Sequence, residues 1–355
     1  MNTKSISVGV RRVSKPSRYT EPGMKQQKLW VAITAYNPIA RINHLVNVLN
    51  EYMKYPYDFG VRIYIDYESQ NDVELLHATL DPYKELNIDI VVAAPEYENW
   101  YLTWAHKTDL ALAVLNKQAD FYIYQEDDMI ITLENFQYWL KWQPRLAFHG
   151  LEPGFIRYED HKGLKVPFDN HHVFSLTKPT KNVWSDQHFK VPVIPVLDYE
   201  VECFVQVASP YYAGMILSQK DAERYIRTQS FDPQESYERL GMSRAVIANL
   251  TQKSIDGTQD PVVKEHLIGL KNEGTKQVAY PIRNWPIADR SSMGMAFEDL
   301  PYGYEHRRCI PIYKEDTKYV PHPMALMRHD DKKYAPELEA REGFVLDCKH
   351  MFTLN

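Results

Sequence analysis

The chain has 355 residues, of which 44% are hydrophobic and 25% charged, and its formal net charge is -6. This composition is that of an ordinary globular protein with enough chain for one large or two fused domains, and the acidic balance gives no electrostatic basis for binding nucleic acid. Three widely spaced cysteines without a Cys-x-x-Cys pair indicate neither a disulfide framework nor a zinc site.

The first 27 residues have the composition of a disordered basic arm. Ser, Thr, Pro and Gly are frequent, and six basic residues stand against the single acid Glu21. The sequence has no run of about eighteen apolar residues, and its N-terminus lacks the apolar core of a signal peptide. We therefore expect a soluble cytoplasmic protein without a transmembrane segment, and leave peripheral contact of the arm with a membrane open.

Apolar runs alternate with helical patterns between residues 28 and 147. The patterns predict strands at 29–36, 61–66, 88–94 and 121–124, and helices at 40–52, 73–80 and 104–116. This alternation is typical of an α/β protein with a parallel, doubly wound sheet. In such sheets, ligands bind at the carboxyl ends of the strands.

Acidic residues stand where two of these strands end. Asp66 ends the second strand, and Glu126, Asp127 and Asp128 follow the fourth. Adjacent carboxylates repel one another unless a cation sits among them or water solvates them at the strand end. Hard divalent cations prefer carboxylate oxygens. The pattern by itself therefore leaves two alternatives, a metal site and a solvated turn.

The pattern becomes less regular in the second half of the chain. Short strands are predicted near 154–158, 191–197 and 201–207. Ser218, with Asp221 three residues later, predicts a capped helix start, and a second helix is predicted at 232–251. We divide the chain into an arm at 1–27, a first half at 28–147, a second half at 148–330 and a C-terminal tail at 331–355.

Three features together resemble the GT-A superfamily of nucleotide-sugar-dependent glycosyltransferases. The first strand ends in Thr34-Ala35-Tyr36-Asn37, the second ends in Asp66, and Glu126-Asp127-Asp128 stands in the place of the family's Asp-x-Asp motif, with Glu for the first Asp. The resemblance covers about residues 28–330. It implies a Rossmann-like, mostly parallel central sheet flanked by helices, in which residues 28–147 bind the nucleotide sugar and 148–330 bind the acceptor.

The resemblance also implies a donor site with a metal ion, Mn²⁺ or Mg²⁺, on the diphosphate. The metal would be held by Asp128 first, with Glu126 and a late histidine, His329, as further ligands. Donor-binding residues would be Thr34, Tyr36, Asp66, His106, Lys107, Glu126 and Asp127. Asp66 would meet the base or ribose, and His106 or Lys107 the phosphates or sugar; a helix-start histidine and a surface lysine are the alternatives for these two.

The acceptor site is implied by shorter motifs. Tyr212 and Gly214 lie in a stretch similar to the loop and strand before the family's acceptor helix, although a tight turn explains the same residues. Arg157 either contributes to the acceptor pocket or forms an internal ion pair. Inverting members of the family use an acid that opens a later helix as general base, and Asp289 is preferred here over Glu235.

The expected function is a metal-dependent glycosyltransferase that moves a sugar from a nucleoside-diphosphate donor to a hydroxyl group of a glycan or another acceptor. UDP is the expected carrier because it is the commonest in the family, and inversion with a carboxylate base is the expected mechanism. Two alternatives stay open. One is a non-catalytic protein that binds carbohydrate or a nucleotide sugar on the same fold. The other is a nucleotidyltransferase, although no Gly-rich phosphate loop follows the first strand.

Overall fold

The computed structural model describes residues 27–66, 70–93, 99–147, 151–167, 174–175, 180–181, 188–189, 193–195, 203–205, 213–227, 231, 308–315 and 318–353. The predicted arm, the helix expected at 232–251, and the candidate residues Tyr212, Glu235 and Asp289 lie outside these ranges.

Strands and helices alternate along the described chain. The helices are α1 (Ile42–Tyr52), α2 (Gln70–Leu80), α3 (Lys107–Leu115), α4 (Leu133–Ala147), α5 (Gln219–Tyr225) and α6 (Tyr334–Glu342). The strands are β1 (Lys28–Ala35), β2 (Asp58–Ile65), β3 (Ile88–Val92), β4 (Phe121–Glu126), β5 (Met129–Ile130), β6 (Glu152–Pro153), β7 (Ile156–His161), β8 (Leu164–Pro167), β9 (Phe174–Ser175), β10 (Thr180–Lys181), β11 (His188–Phe189), β12 (Val193–Pro195), β13 (Cys203–Val205), β14 (Gly214–Ser218), β15 (Arg308–Glu315), β16 (Lys318–Pro321), β17 (Leu326–His329) and β18 (Phe352–Thr353).

A five-stranded, mostly parallel sheet forms from the first half of the chain and β14. Its strand order is β14-β4-β1-β2-β3, with β1 parallel to both β2 and β4, and β3 parallel to β2. β14 runs antiparallel to β4. The predicted mixed α/β architecture with a parallel-rich sheet is therefore confirmed. The helix predicted at 104–116 begins at Lys107, since Asn99–Trp104 form a separate 3₁₀ helix.

Helices cover both faces of this sheet, which explains why its strands read as continuous apolar runs. Successive side chains of a strand point to opposite faces. In β4, the ring of Phe121 lies 5.5 Å from that of Phe136 in α4, whereas the Tyr122 hydroxyl donates to the carbonyl oxygen of Ala113 in α3 at 3.3 Å. α4 and α3 therefore lie on opposite faces.

The rest of the chain builds smaller sheets. One has the order β12-β13-β15-β16-β18-β9, with β6 paired to β15, and β10 pairs with β11. The segment predicted as a C-terminal tail carries α6 and β18. β18 pairs with β16, and Ala335 and Leu338 of α6 form a small apolar cluster with Val166. No described helix is both long and apolar enough to cross a membrane.

A four-stranded sheet, in the order β5-β17-β7-β8, brings distant segments beside the end of β4. β5 follows Asp128 directly and pairs antiparallel with β17, so that His329 lies opposite Met129. β17 in turn runs parallel to β7, with Arg328 opposite Tyr158. This pairing places residues about 200 positions apart at the acidic turn.

The predicted cap of α5 is confirmed. The Ser218 hydroxyl oxygen accepts a hydrogen bond from the Asp221 backbone nitrogen at 3.2 Å, which satisfies a donor that the helix itself leaves unpaired.

We expect Ser218→Ala to lower the free energy of unfolding by about 1 kcal/mol, because this donor loses its partner. Urea unfolding followed by circular dichroism measures the change. Thr79→Ala is the control: it removes a hydroxyl that bonds to the Leu75 carbonyl within α2, and we expect a change within about 0.5 kcal/mol. Equal losses in the two variants would contradict the capping role.

Candidate functional site

The ends of β1, β2 and β4 meet at one edge of the main sheet. The chain continues from β1 to β2 on one side, whereas β4 lies on the other side, so the strand order reverses between β1 and β4. Ligands of doubly wound sheets bind in the crevice at such a reversal. Tyr36 follows β1 and is 50% exposed, and the Asp66 carboxylate accepts a hydrogen bond from the Asn37 backbone nitrogen at 3.1 Å.

The acidic turn after β4 is buried. Asp127 and Asp128 are only 4% and 5% exposed, so the alternative of a solvated turn does not hold for them. The Asp127 backbone nitrogen donates to the Thr34 carbonyl at 3.0 Å, and the Asp128 carbonyl accepts from the Asp330 nitrogen at 2.7 Å. The turn is thus tied to β1 on one side and to the residue after β17 on the other.

A guanidinium group lies between the two carboxylates. Arg41 precedes α1, and its Nη2 lies 3.2 Å from Asp127 Oδ1 and 2.5 Å from Asp128 Oδ2. Its Nε also donates to Asp127, and its Nη1 lies 3.1 Å from Asp331 Oδ2. The positive charge that adjacent buried carboxylates require is therefore supplied, in part, by the protein itself.

His329 contacts the same turn from β17. Its Nε2 lies 3.3 Å from Asp128 Oδ2, and its Nδ1 lies 2.9 Å from Glu159 Oε1. Glu159 is fully buried and also accepts hydrogen bonds from the Tyr334 and Ala335 backbone nitrogens at the start of α6. The start of α6 and the His329 ring therefore hold the Glu159 side chain from two sides, and Glu159 in turn orients the imidazole.

The charges around Asp128 keep it ionised. Burial alone would raise its pKa, but the hydrogen bond from His329 and the positive charges of His329, Arg41 and Arg157 hold that pKa well below its usual range. Burial likewise opposes the charged form of His329, yet its bonds to Asp128 and Glu159 raise its pKa above the ordinary value. The two side chains therefore form an ion pair with little access to water.

The pKa of Asp127 is shifted in the opposite direction from that of Asp128. Burial, and then the negative charge of Asp128, raise its pKa to about 7, although Arg41 acts against this. Of two neighbouring buried carboxylates, one stays ionised readily and the other holds a proton more easily.

Asp128 and, once its Nε2 has lost its proton, His329 could act as ligands of a hard divalent cation. Asp128 Oδ1 is buried and has no hydrogen-bond partner among the described residues. A histidine held by a carboxylate through its other nitrogen is the usual arrangement of a metal ligand. The described residues contain no cluster of three or more His, Cys, Asp or Glu side chains that could hold a metal. Two protein ligands suit a cation that takes its remaining ligands from phosphate and water.

Four other predicted residues, Thr34, Glu126, Gly214 and Arg157, also lie around this turn. Thr34 is buried, and its hydroxyl lies 3.2 Å from that of Tyr124. Glu126 ends β4, with its nitrogen bonded to the Ala213 carbonyl, so that Gly214 lies beside the turn. Arg157 is buried in β7, and its charge acts on Asp128 and His329. Their roles in donor, metal or acceptor binding stay predictions.

His106 and Lys107 lie inside the protein. The His106 ring stacks on Tyr124 with centroids 4.2 Å apart, and burial, then the Lys107 charge, lowers its pKa to about 3. The buried Lys107 ammonium lies 3.8 Å from the Trp104 ring centroid and near the ring of Tyr225. Lys107 is thus not the surface lysine of the alternative interpretation. Their assignment as donor-binding residues stays a prediction that these contacts do not favour.

Several residues of the site were not predicted from the sequence. Arg41 and His44 lie between β1 and the first turn of α1, and His44 Nδ1 lies 3.0 Å from Asp330 Oδ2. Glu159 and Asp331 also belong to the site. The connection after the first strand of a doubly wound sheet always lies at the ligand-binding edge. This rule could have identified Arg41 and His44 as candidate site residues from the sequence.

Comparisons with known proteins identify no family. No model of a known protein family matches the chain, and no curated protein sequence matches it. Among solved structures, the chain is similar to the crystal structure of S. aureus TarS, with a TM-score of 0.24 and 14% sequence identity. The overlap covers 38% of this chain and 22% of that one. A likeness this short and divergent carries no conclusion about activity.

The raised pKa of Asp127 predicts a pH dependence of stability in protein freed of metal. Its folded pKa, about 7, exceeds the unfolded value. Its contribution to stability is therefore complete below about pH 4 and is lost as the pH rises through about 7. We expect the free energy of unfolding of the wild type, relative to Asp127→Asn, to fall on the order of 2 kcal/mol between pH 5 and 8.

Urea titrations at four pH values in EDTA measure this difference. Ser218→Ala is the control, because it changes stability without touching the acidic turn and should keep the wild-type pH slope. A difference between wild type and Asp127→Asn that stays constant or grows with pH would contradict the assignment.

Proposed function

We propose that the protein is a glycosyltransferase of GT-A type, which moves a sugar from a nucleoside-diphosphate donor to a hydroxyl group of an acceptor. The observation that carries this proposal is the meeting of Asp128 and His329, 3.3 Å apart, at the strand reversal of a mostly parallel sheet. A nucleotide at such a crevice would lie with its phosphates beside these two side chains.

The donor would occupy the edge formed by β1, β2 and β4. Tyr36 offers an exposed ring on which a base can stack, and Asp66 offers a carboxylate for ribose hydroxyls. Tyr36 is exposed and Asp66 partly exposed, whereas Asp127 and Asp128 are buried. In this proposal the base therefore lies on the outside and the diphosphate on the inside. UDP is the carrier we propose.

Asp128 and His329 would hold the cation, Mn²⁺ or Mg²⁺, with Glu126 as a further candidate. A divalent cation at this place supplies charge that offsets the negative charge on the departing diphosphate. Glu159 holds Nδ1 of His329 and so leaves Nε2 directed at Asp128. Arg41 lies beside the same carboxylates and supplies positive charge to them when no cation is bound.

The acceptor would approach along the side of the turn where Gly214 lies. Gly214 pairs with Gln125, the residue before Glu126, and Arg157 is on the neighbouring small sheet. In this proposal the acceptor hydroxyl displaces the diphosphate directly with inversion, and a carboxylate, Asp289 or Glu235, takes its proton.

A second candidate is a binding protein that keeps the fold without turnover. The ion pairs of Arg41 with both Asp127 and Asp128 favour it, because they engage the carboxylates that a cation would need. Such a protein would bind a nucleotide sugar without breaking the bond between sugar and phosphate.

We expect UDP and UDP-sugars to raise the melting temperature by about 2–4 °C or more at saturating ligand, and more with Mn²⁺ than in EDTA. Asp128→Asn should lose the metal-dependent part, since the carboxylate charge is removed. Asp120→Asn is the matched control at the opposite end of β4, where the Asp120 carboxylate accepts from the Lys28 nitrogen, and it should respond as the wild type does.

Thermal shift with a panel of nucleoside diphosphates and their sugars measures binding, and release of the free nucleoside diphosphate measures turnover. Binding with no release under any acceptor or hydrolysis condition would support the second candidate. No response to any nucleotide would reject both.

A further inference from the structure

Arg41 contacts both buried carboxylates of the acidic turn. Its three guanidinium nitrogens reach three carboxylates, Asp127, Asp128 and Asp331, at 2.5–3.3 Å. Two of these carboxylates are almost fully buried, whereas Asp331 and the Arg41 side chain are each about a quarter exposed. The guanidinium therefore bridges a buried carboxylate pair and a partner close to the surface.

Arg41 and His329 contact the same carboxylate oxygen of Asp128. Arg41 Nη2 lies 2.5 Å and His329 Nε2 lies 3.3 Å from the same Oδ2, while the buried Oδ1 accepts no hydrogen bond among the described residues. A cation placed between Asp128 and His329 would share Oδ2 with the guanidinium or displace it. Like charges this close repel strongly in a site with little water.

Asp331 is an alternative partner for the Arg41 guanidinium when it leaves Asp128. The side chain is long and flexible, its Nη1 already contacts Asp331, and Asp331 follows β17 by two residues. Lys333 also contacts Asp331, at 3.0 Å, so this carboxylate is already shared between two cations at the rim of the site.

We propose that Arg41 is the internal counter-ion of the Asp127–Asp128 pair and competes with a divalent cation for Asp128. The cation would then bind Asp128 and His329 only by displacing two groups: the guanidinium, toward Asp331, and the proton that His329 Nε2 shares with Asp128, which is released to solvent. The inference rests on the proposed function solely in taking Asp128 and His329 as the cation's ligands. It assigns to Arg41 the role of lowering the affinity for free cation by offsetting the carboxylate charge before a ligand arrives.

Binding of Mn²⁺ alone tests this, without nucleotide. The electron paramagnetic resonance signal of free Mn²⁺ falls as the ion binds, and its titration gives the dissociation constant for wild type, Arg41→Met and Arg41→Gln. We expect both variants to bind Mn²⁺ about ten-fold more tightly or better, because one full positive charge beside the ligand is removed. Adding Asp128→Asn to either variant should abolish the gain.

Arg62→Met is the matched control. Arg62 also pairs with an aspartate, its Nη1 lying 2.8 Å from Asp109 Oδ1, but it belongs to β2 and contacts none of the acidic turn. Its Mn²⁺ affinity should equal that of the wild type. Circular dichroism checks that each variant is folded, and Arg41→Gln keeps hydrogen bonding to the carboxylates in case Arg41→Met does not fold.

The proposal is overturned if the folded Arg41 variants bind Mn²⁺ no more tightly than the wild type, or if the gain survives Asp128→Asn. A measurement on the wild-type protein also tests the proposal and does not depend on whether the variants fold. The Nε–H resonance of Arg41, assigned by its disappearance in Arg41→Lys, should shift on titration with Mg²⁺, and an unmoved resonance overturns the proposal. Tighter Mn²⁺ binding without any nucleotide response would uphold this inference while rejecting the proposed function.

Discussion

Two neighbouring carboxylates buried at the end of a strand require positive charge beside them, and the site is organised by this requirement. Asp127 and Asp128 are almost inaccessible to water, and they lie against Arg41 and His329. An unpaired buried charge is among the most destabilising features that a fold can contain. The segment before α1 and the strand β17 are therefore held at this turn by charge as well as by backbone pairing.

Support for His329 comes from a second carboxylate and a helix. Glu159 bonds to Nδ1 of the imidazole and to two backbone nitrogens at the start of α6. These contacts fix the ring, so its other nitrogen faces Asp128 without a cost in side-chain freedom when a ligand binds. Precise placement of this kind is what a binding or catalytic group needs. The helix that supplies it belongs to the segment expected to be a tail.

The main sheet and the four-stranded sheet contribute different residues to the site. The parallel strands β1, β2 and β4 end at one edge and present Tyr36, Asp66 and the acidic turn. The four-stranded sheet brings His329 and Arg157 to the other side of that turn through the pairing of β5 with β17 and of β17 with β7. In the proposed function, the edge of the main sheet would take the nucleotide, and the four-stranded sheet would lie on the other side of the turn.

Local sequence determined the first four strands, the first three helices and the position of the acids at a strand end, because apolar periodicity and capping depend on neighbouring residues. The Asp66 and Asp128 positions and the Ser218 cap followed from these patterns. Tertiary structure alone decided which charges meet: Arg41 is 86 residues from Asp127, and His329 is 170 residues from Glu159. The burial of His106 and Lys107 was decided in the same way. Strand order and register fix such contacts, and neither is encoded in the spacing of residues along the chain.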